Sequence, residues 1–158
     1  MISYLTRLNL YLKWFGIFKI PLVFFVNPKI LQCNDHLIRV KIRLGRKTRN
    51  HLGSMYFGVL ATGADVTGGI LAMSIAQRKQ QKISMVFKSV AGEFLKRPEH
   101  DVEFVCKDTQ LIESMLDESK ETGQRINKDI EVIATCPETF QSEPVARFTL
   151  TLSIKHLG

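Results

Sequence analysis

One carboxylate stands alone in a long apolar run. From Gly53 to Gln77 (G-S-M-Y-F-G-V-L-A-T-G-A-D-V-T-G-G-I-L-A-M-S-I-A-Q) the only charged residue is Asp65. An ionised aspartate loses hydration that an apolar setting cannot replace. Such a carboxylate is either compensated by specific partners, for instance backbone groups of a helix kinked near Gly63 and Gly68, or it is used for chemistry. The chemistry open to it is that of a general base or a nucleophile, with a pKa raised by desolvation.

The run that carries Asp65 has the length of a helix and is apolar nearly all round, so a buried helix is expected. Ser54 is the expected N-cap, and Arg78 and Lys79 suit the C-terminal end of the helix dipole. Gly58, Gly63, Gly68 and Gly69 would let another backbone approach closely. Upstream, H-L-I-R-V-K-I-R-L-G (His36–Gly45) alternates as a half-buried strand with a basic outer face. Downstream, Ile83–Val90, Asp101–Lys107, Asp129–Cys136 and Ala146–Lys155 read as strands. In the first of these, Ile83, Met85 and Phe87 share one face and Ser84 lies on the other. Leu111, Ile112, Met115 and Leu116 recur at helical spacing, which predicts a short surface helix over Thr109–Glu121 ending at Gly123. The long apolar helix must be covered by a curved antiparallel sheet. The expected class is α+β.

A chain of 158 residues fits one domain, and 45% hydrophobic with 23% charged residues argues against wholesale disorder. The basicity is local: residues 1–50 hold ten Lys/Arg and one acid, residues 51–158 twelve and fourteen. A basic N-terminal third could meet the phosphates of a nucleotide-bearing molecule, an anionic lipid face or only solvent. No nucleic-acid-binding pattern accompanies it, so no nucleic acid partner is expected. Cys33, Cys106 and Cys136 are odd in number and widely spaced. They form neither a disulfide framework nor a metal motif, and a reducing, cytoplasmic setting is the simplest expectation.

Residues 8–26 are apolar enough to suggest a signal or a span, but Lys13, Lys19 and Pro21 interrupt them and no small-residue cleavage site follows. The pattern predicts a helix from Ile2 to about Phe15, a turn, and a Pro21-led apolar segment. Residues 1–26 form an N-terminal extension and 27–158 the main domain. The extension either packs on the core or makes peripheral membrane contact through Trp14, Phe15, Phe24 and Phe25.

The stretch N-H-L-G-S-M-Y-F-G-V-L-A-T-G-A-D (Asn50–Asp65) resembles the hotdog-fold acyl-CoA thioesterases of the PaaI-like branch, and most closely members with an extra N-terminal helix. The family pattern is Asn, a short gap, Gly, then His-Gly-Gly and an acid about seven residues later. Asn50, Gly58 and Asp65 fall on its Asn, second Gly and acid. Tyr56 stands where His is usual and Phe57 where the first Gly is usual. The resemblance implies a curved sheet around one long helix. It also implies a thioesterase site between two subunits of a homodimer, often paired into a tetramer.

By that likeness Asp65 acts as base or nucleophile, and the amides of Phe57 and Gly58 form the oxyanion hole. Asn50 holds water or the carbonyl, Tyr56 offers a donor or packs, and Ser84 lies near the place where related enzymes put a helper hydroxyl. No cofactor is implied beyond the coenzyme A of the substrate. Its phosphates have Arg46, Lys47, Arg49, Lys96 and Arg97 as candidates. His51, beside Asn50, reads as an exposed loop residue. The altered Tyr56-Phe57 pair leaves a second function open, a non-catalytic acyl- or lipid-binding protein. A structural dimerisation domain is a third.

Overall fold

Six strands whose apolar residues alternate with polar ones share one antiparallel sheet. The computed structural model describes residues 3–158. Along the chain the elements are α1 (Tyr4–Phe18), α2 (Pro21–Val26), β1 (Lys29–Cys33), β2 (Ile38–Ile42), α3 (Phe57–Arg78), β3 (Ile83–Phe94), β4 (Val102–Cys106), α4 (Thr109–Thr122), β5 (Ile126–Thr135), α5 (Pro137–Phe140) and β6 (Pro144–His156). The sheet order is β1-β2-β4-β5-β6-β3. Every neighbouring pair is antiparallel. This is the α+β hotdog arrangement, a sheet around one long helix.

The alternation sets which residues the sheet turns inward. Ile38, Val40 and Ile42 of β2 face the core with Val102, Phe104 and Cys106 of β4, and with Phe148, Leu150, Leu152 and Ile154 of β6. On the outer face of β2, Arg39 pairs with Glu103 at 2.9 Å and Lys41 with Asp101 at 2.9 Å. The basic strand is thus matched by Glu103 of its neighbour β4 and by Asp101 just before that strand, and the unmatched basicity lies elsewhere.

Helix α3 is long and apolar enough to cross a membrane, yet it is largely buried within this fold. What approaches its glycines is side chain rather than backbone. A Cβ on Gly63 would stand 2.3 Å from the ring of Phe104, and one on Gly68 2.7 Å from Ile130. Filling such a contact forces the neighbour aside, a change that typically costs about 1–3 kcal/mol. The sheet is not the only cover. Helix α4, expected at the surface, buries Ile112, Met115 and Leu116 completely and packs against α3, β5 and β6. It ends, as its sequence requires, on Gly123 in the left-handed conformation (φ 69°).

The N-terminal extension is a helical hairpin, and the Pro21-led segment is its second helix. Ile2, the expected first residue of α1, lies outside the described residues. Leu8, Leu12, Val23 and Val26 are buried in the common core. One polar side chain fixes the hairpin. The Nδ2 of Asn9 donates to the Ile30 carbonyl at 2.9 Å, and its Oδ1 accepts from the Ile30 amide at 2.9 Å. Asn9 so behaves as one residue of a further strand along β1. Asn9→Ala should leave both Ile30 groups unpaired and lower stability by roughly 1–3 kcal/mol, read by urea denaturation. A loss below a few tenths would mean the edge is satisfied without it.

Candidate functional site

Three loop contacts place the start of α3. The Tyr56 amide donates to the Thr48 carbonyl at 2.9 Å, the Met55 amide to the Pro98 carbonyl at 2.9 Å, and the Asn50 amide to the Ser54 carbonyl at 2.7 Å. Ser54 does not cap the helix, as the sequence suggested. It is buried and tied to Asn50, whose Oδ1 accepts from the amides of Leu52 (2.9 Å) and Ser54 (3.2 Å). Asn50 Nδ2 donates to the Ser54 hydroxyl at 3.1 Å. Asn50 therefore organises its own loop, with one Nδ2 hydrogen left over.

The N-cap is Tyr56, which makes no side-chain cap bond. Its carbonyl accepts from the amides of Val59 and Leu60. The amides of Phe57 and Gly58 precede the first helical bonds and find no acceptor among the described residues. No acid occupies the first turn. Two open donors at the positive end of a 22-residue helix suit a developing oxyanion.

Aromatic rings surround these donors. A Cβ on Gly58 would lie 2.6 Å from the Tyr56 ring, so only glycine admits that ring over the helix start. Phe57 turns outward, 58% exposed, with its centroid 4.7 Å from Tyr56 and 6.1 Å from Phe94. The rings border a pocket of about 580 Å³ shared with Asn50, His51, Lys96 and Arg97.

Asp65 sits two turns further along α3 than Gly58, roughly 10 Å by helical rise. It is half-buried, on the stripe of α3 with Gly58, Thr62 and Gly69 that the sheet leaves partly open. No group among the described residues hydrogen-bonds or ion-pairs with it. Burial alone pushes its carboxyl above the ordinary aspartate range. The carboxylate lies on the wall of a separate pocket of about 530 Å³. Tyr11, Leu12 and Phe15 of α1, Ile20 beside α2 and Val23 within it form one side, and Met85 and Phe87 of β3 another. A third cavity, about 680 Å³, adjoins it and shares Tyr11, Ile70, Met73 and Ile83. That α1 and α2 wall in Asp65 escaped the sequence. The signal was present in an apolar N-terminal segment, but periodicity does not say which surface an extension covers.

The remaining candidates divide. Ser84 lies on the face of β3 away from α3, and its hydroxyl accepts from Arg125 at 3.1 Å. It is not brought to Asp65 within the chain. Arg46, Lys47 and Arg49 are exposed on the loop before α3. Lys47 stands 5.1 Å above the Phe25 ring. Lys96 pairs with Glu143, and Arg97 with Glu99 at 2.6 Å, so both are partly neutralised.

Comparison with solved structures supports the fold. A protein of unknown function from Chlorobaculum tepidum TLS superposes with a TM-score of 0.83 at 13% identity, covering 96% of each chain. A Pseudomonas aeruginosa protein, named a probable thioesterase, gives 0.75 at 20% identity over 94% of this chain and 96% of its own. A thioesterase from Haemophilus influenzae gives 0.68 at 14% identity over 99% and 94%. No curated protein matches the sequence. The profile of the family described as "Domain of unknown function (DUF4442)" matches residues 9–154, both N-terminal helices and all six strands within or touching that span. The chain belongs to the DUF4442 family, on a hotdog fold.

Proposed function

We propose that the protein hydrolyses thioesters of aliphatic acyl chains carried on coenzyme A or an acyl carrier. The observation that carries this reading is Asp65, an unpartnered carboxylate on the wall of an apolar pocket, borne by the helix whose first amides are open. Two of the similar structures named above carry thioesterase names, which agrees with it.

Within one chain Asp65 and the open amides border different pockets. A second copy related by a two-fold axis would bring the Asp65 of one subunit to the helix start of the other. The outer edge of β3 supports such pairing. It is 12 residues long, it pairs with β6 alone among the described residues, and it exposes Val86, Val90 and Phe94. In that assembly Asp65 takes a proton from water as the water attacks the carbonyl carbon. The amides of Phe57 and Gly58 hold the oxyanion. The tetrahedral intermediate collapses with cleavage of the C–S bond, and the thiolate leaves with the proton held by Asp65. Arg46, Lys47 and Arg49, in no ion pair among the described residues, serve the phosphates of coenzyme A better than the paired Lys96 and Arg97.

The test is thiol release from acyl-CoAs of two to sixteen carbons, and release from none of them sinks the reading. A buried CH₂ is worth about 0.8 kcal/mol, so kcat/KM should climb by up to about fourfold per carbon until the pocket is filled. Gly69 borders that pocket, and a Cβ there meets Met85 and Phe87 at ordinary distances of 3.6 and 3.9 Å. Gly69→Leu should lower the ratio of dodecanoyl to butanoyl kcat/KM at least tenfold, roughly what losing two buried CH₂ groups does. An unchanged ratio would place the acyl chain elsewhere.

A second reading rests on the Tyr56 ring, which lies against Gly58 in the first turn of α3. It describes an acyl-binding protein without turnover. Tight binding of a fatty acyl-CoA with no thiol release would select it.

A further inference from the structure

The α1–α2 hairpin has two apolar faces. The inner one meets the core through Leu8, Leu12, Val23 and Val26. The outer one presents Trp14, Ile17, Phe18, Leu22, Phe24 and Phe25, all at least 48% exposed. Solitary apolar side chains on a surface need no explanation, but six of them within the twelve residues 14–25 of one hairpin mark an interaction face.

Charge selects the occupant. Residues 1–34 contain no acid, and Arg7, Lys13, Lys19 and Lys29 lie exposed on or beside the hairpin. Lys47 joins them above Phe25. None of these five cations is in an ion pair among the described residues, whereas the basic strand β2 is matched by acids. An isologous contact between two such faces would set like charges together, which disfavours a second copy of this chain. Anionic headgroups answer the cations, and acyl chains answer the aromatic and aliphatic side chains. The length of α1 is 15 residues, roughly 22 Å, short of the ~30 Å hydrocarbon core. The hairpin is also anchored to β1 by Asn9, so it can lie on a membrane but not cross it.

We propose that the outer face of α1–α2 docks the protein on anionic lipid bilayers, with its aromatic side chains in the headgroup–acyl boundary. The inner walls of the same helices line the pocket beside Asp65, so the docked hairpin would hold that pocket next to the lipid surface.

The chain supplies its own reporter, because Trp14 is the only tryptophan. Full-length protein is titrated with phosphatidylcholine vesicles, with and without phosphatidylglycerol, and Trp14 emission is followed. The expected result is a blue shift, and quenching by brominated acyl chains, with the anionic vesicles at low salt. Phe18→Ser combined with Phe24→Ser should weaken partitioning at least tenfold. Lys13→Glu combined with Lys19→Glu should remove the preference for phosphatidylglycerol. All four positions are exposed, and circular dichroism checks that each variant folds. Unchanged Trp14 emission with anionic vesicles at low salt overturns the proposal. So does a Trp14 already shielded without lipid in an oligomer that the Phe18→Ser, Phe24→Ser pair dissociates, since the face would then belong to a second copy.

Discussion

Asp65→Asn should slow thioester hydrolysis by about a hundredfold or more and at the same time make the fold more stable at neutral pH. Loss of a positioned general base lowers turnover by about 10²–10⁴-fold. The stability gain follows from the missing partner. Burial alone raises the Asp65 pKa, so the folded chain holds this proton more tightly than the unfolded chain. The linked stability is fully present below the unfolded aspartate value and is lost as pH rises through the raised folded value. Above that folded value the wild type carries a desolvated charge that asparagine does not. The gain should be roughly 1–3 kcal/mol, at about 2–4 °C of Tm per kcal/mol for a chain of this size. It should vanish in acid, where the wild-type carboxyl is protonated. The catalytic limb runs the same way. The base must be ionised, so kcat/KM should rise with pH through a value above the ordinary aspartate range. Urea denaturation at pH 4 and pH 7, beside a pH profile of turnover, tests both halves. A variant less stable than wild type at pH 7 would show that Asp65 has a partner after all.

Phe57→Pro removes one oxyanion donor with little disturbance to the backbone. Proline is accepted at the first position of a helix, where its missing N–H had no helical partner. The residue before it must be extended, and Tyr56 already is, at φ −66° and ψ 137°. Loss of one such donor should lower kcat by about 10²–10³-fold with the fold intact. The same variant tests the two-copy site. If Asp65 of one subunit serves the helix start of the other, an Asp65→Asn chain and a Phe57→Pro chain complement each other. In their heterodimer one site carries both lesions and the other carries neither. Refolding an equal mixture makes about half the dimers mixed, each with one good site, so about a quarter of wild-type activity should return. Activity that stays at the level of the single variants would locate the whole site in one chain.

The sequence made the layers legible where periodicity was strong. β2, β5 and β6 alternate clearly, α3 is marked by length, and α4 is closed by Gly123. β1 was not foreseen, since K-I-L-Q-C is five residues at an edge, with a register irregularity after Ile30. Pro21–Val26 is apolar on every side, so it carries no period to distinguish a helix from an extended segment. The start of α3 was misplaced because Ser54 has the chemistry of a cap, while Asn50 claims its hydroxyl. Asp65 was conspicuous as a lone charge. That Ser84 faces away from α3 was written in the alternation of β3. The walls supplied by Tyr11, Phe15 and Val23 come from contacts between distant segments, which no local pattern records.

The bond pair between Asn9 and Ile30 also bears on how many copies can join. A sheet has two ends, and each unsaturated end is a valence. At the β1 end Asn9 occupies both backbone groups of Ile30, and α1 lies against that strand, so this end is terminated as a polymer chain is by a capping monomer. The β3 end stays open. A sheet continued from one copy into another is therefore expected to run through the β3 end alone and to stop at two copies. Asn9→Ala would free the two Ile30 groups at that end and so weaken the stop on edge-to-edge growth at the β1 side.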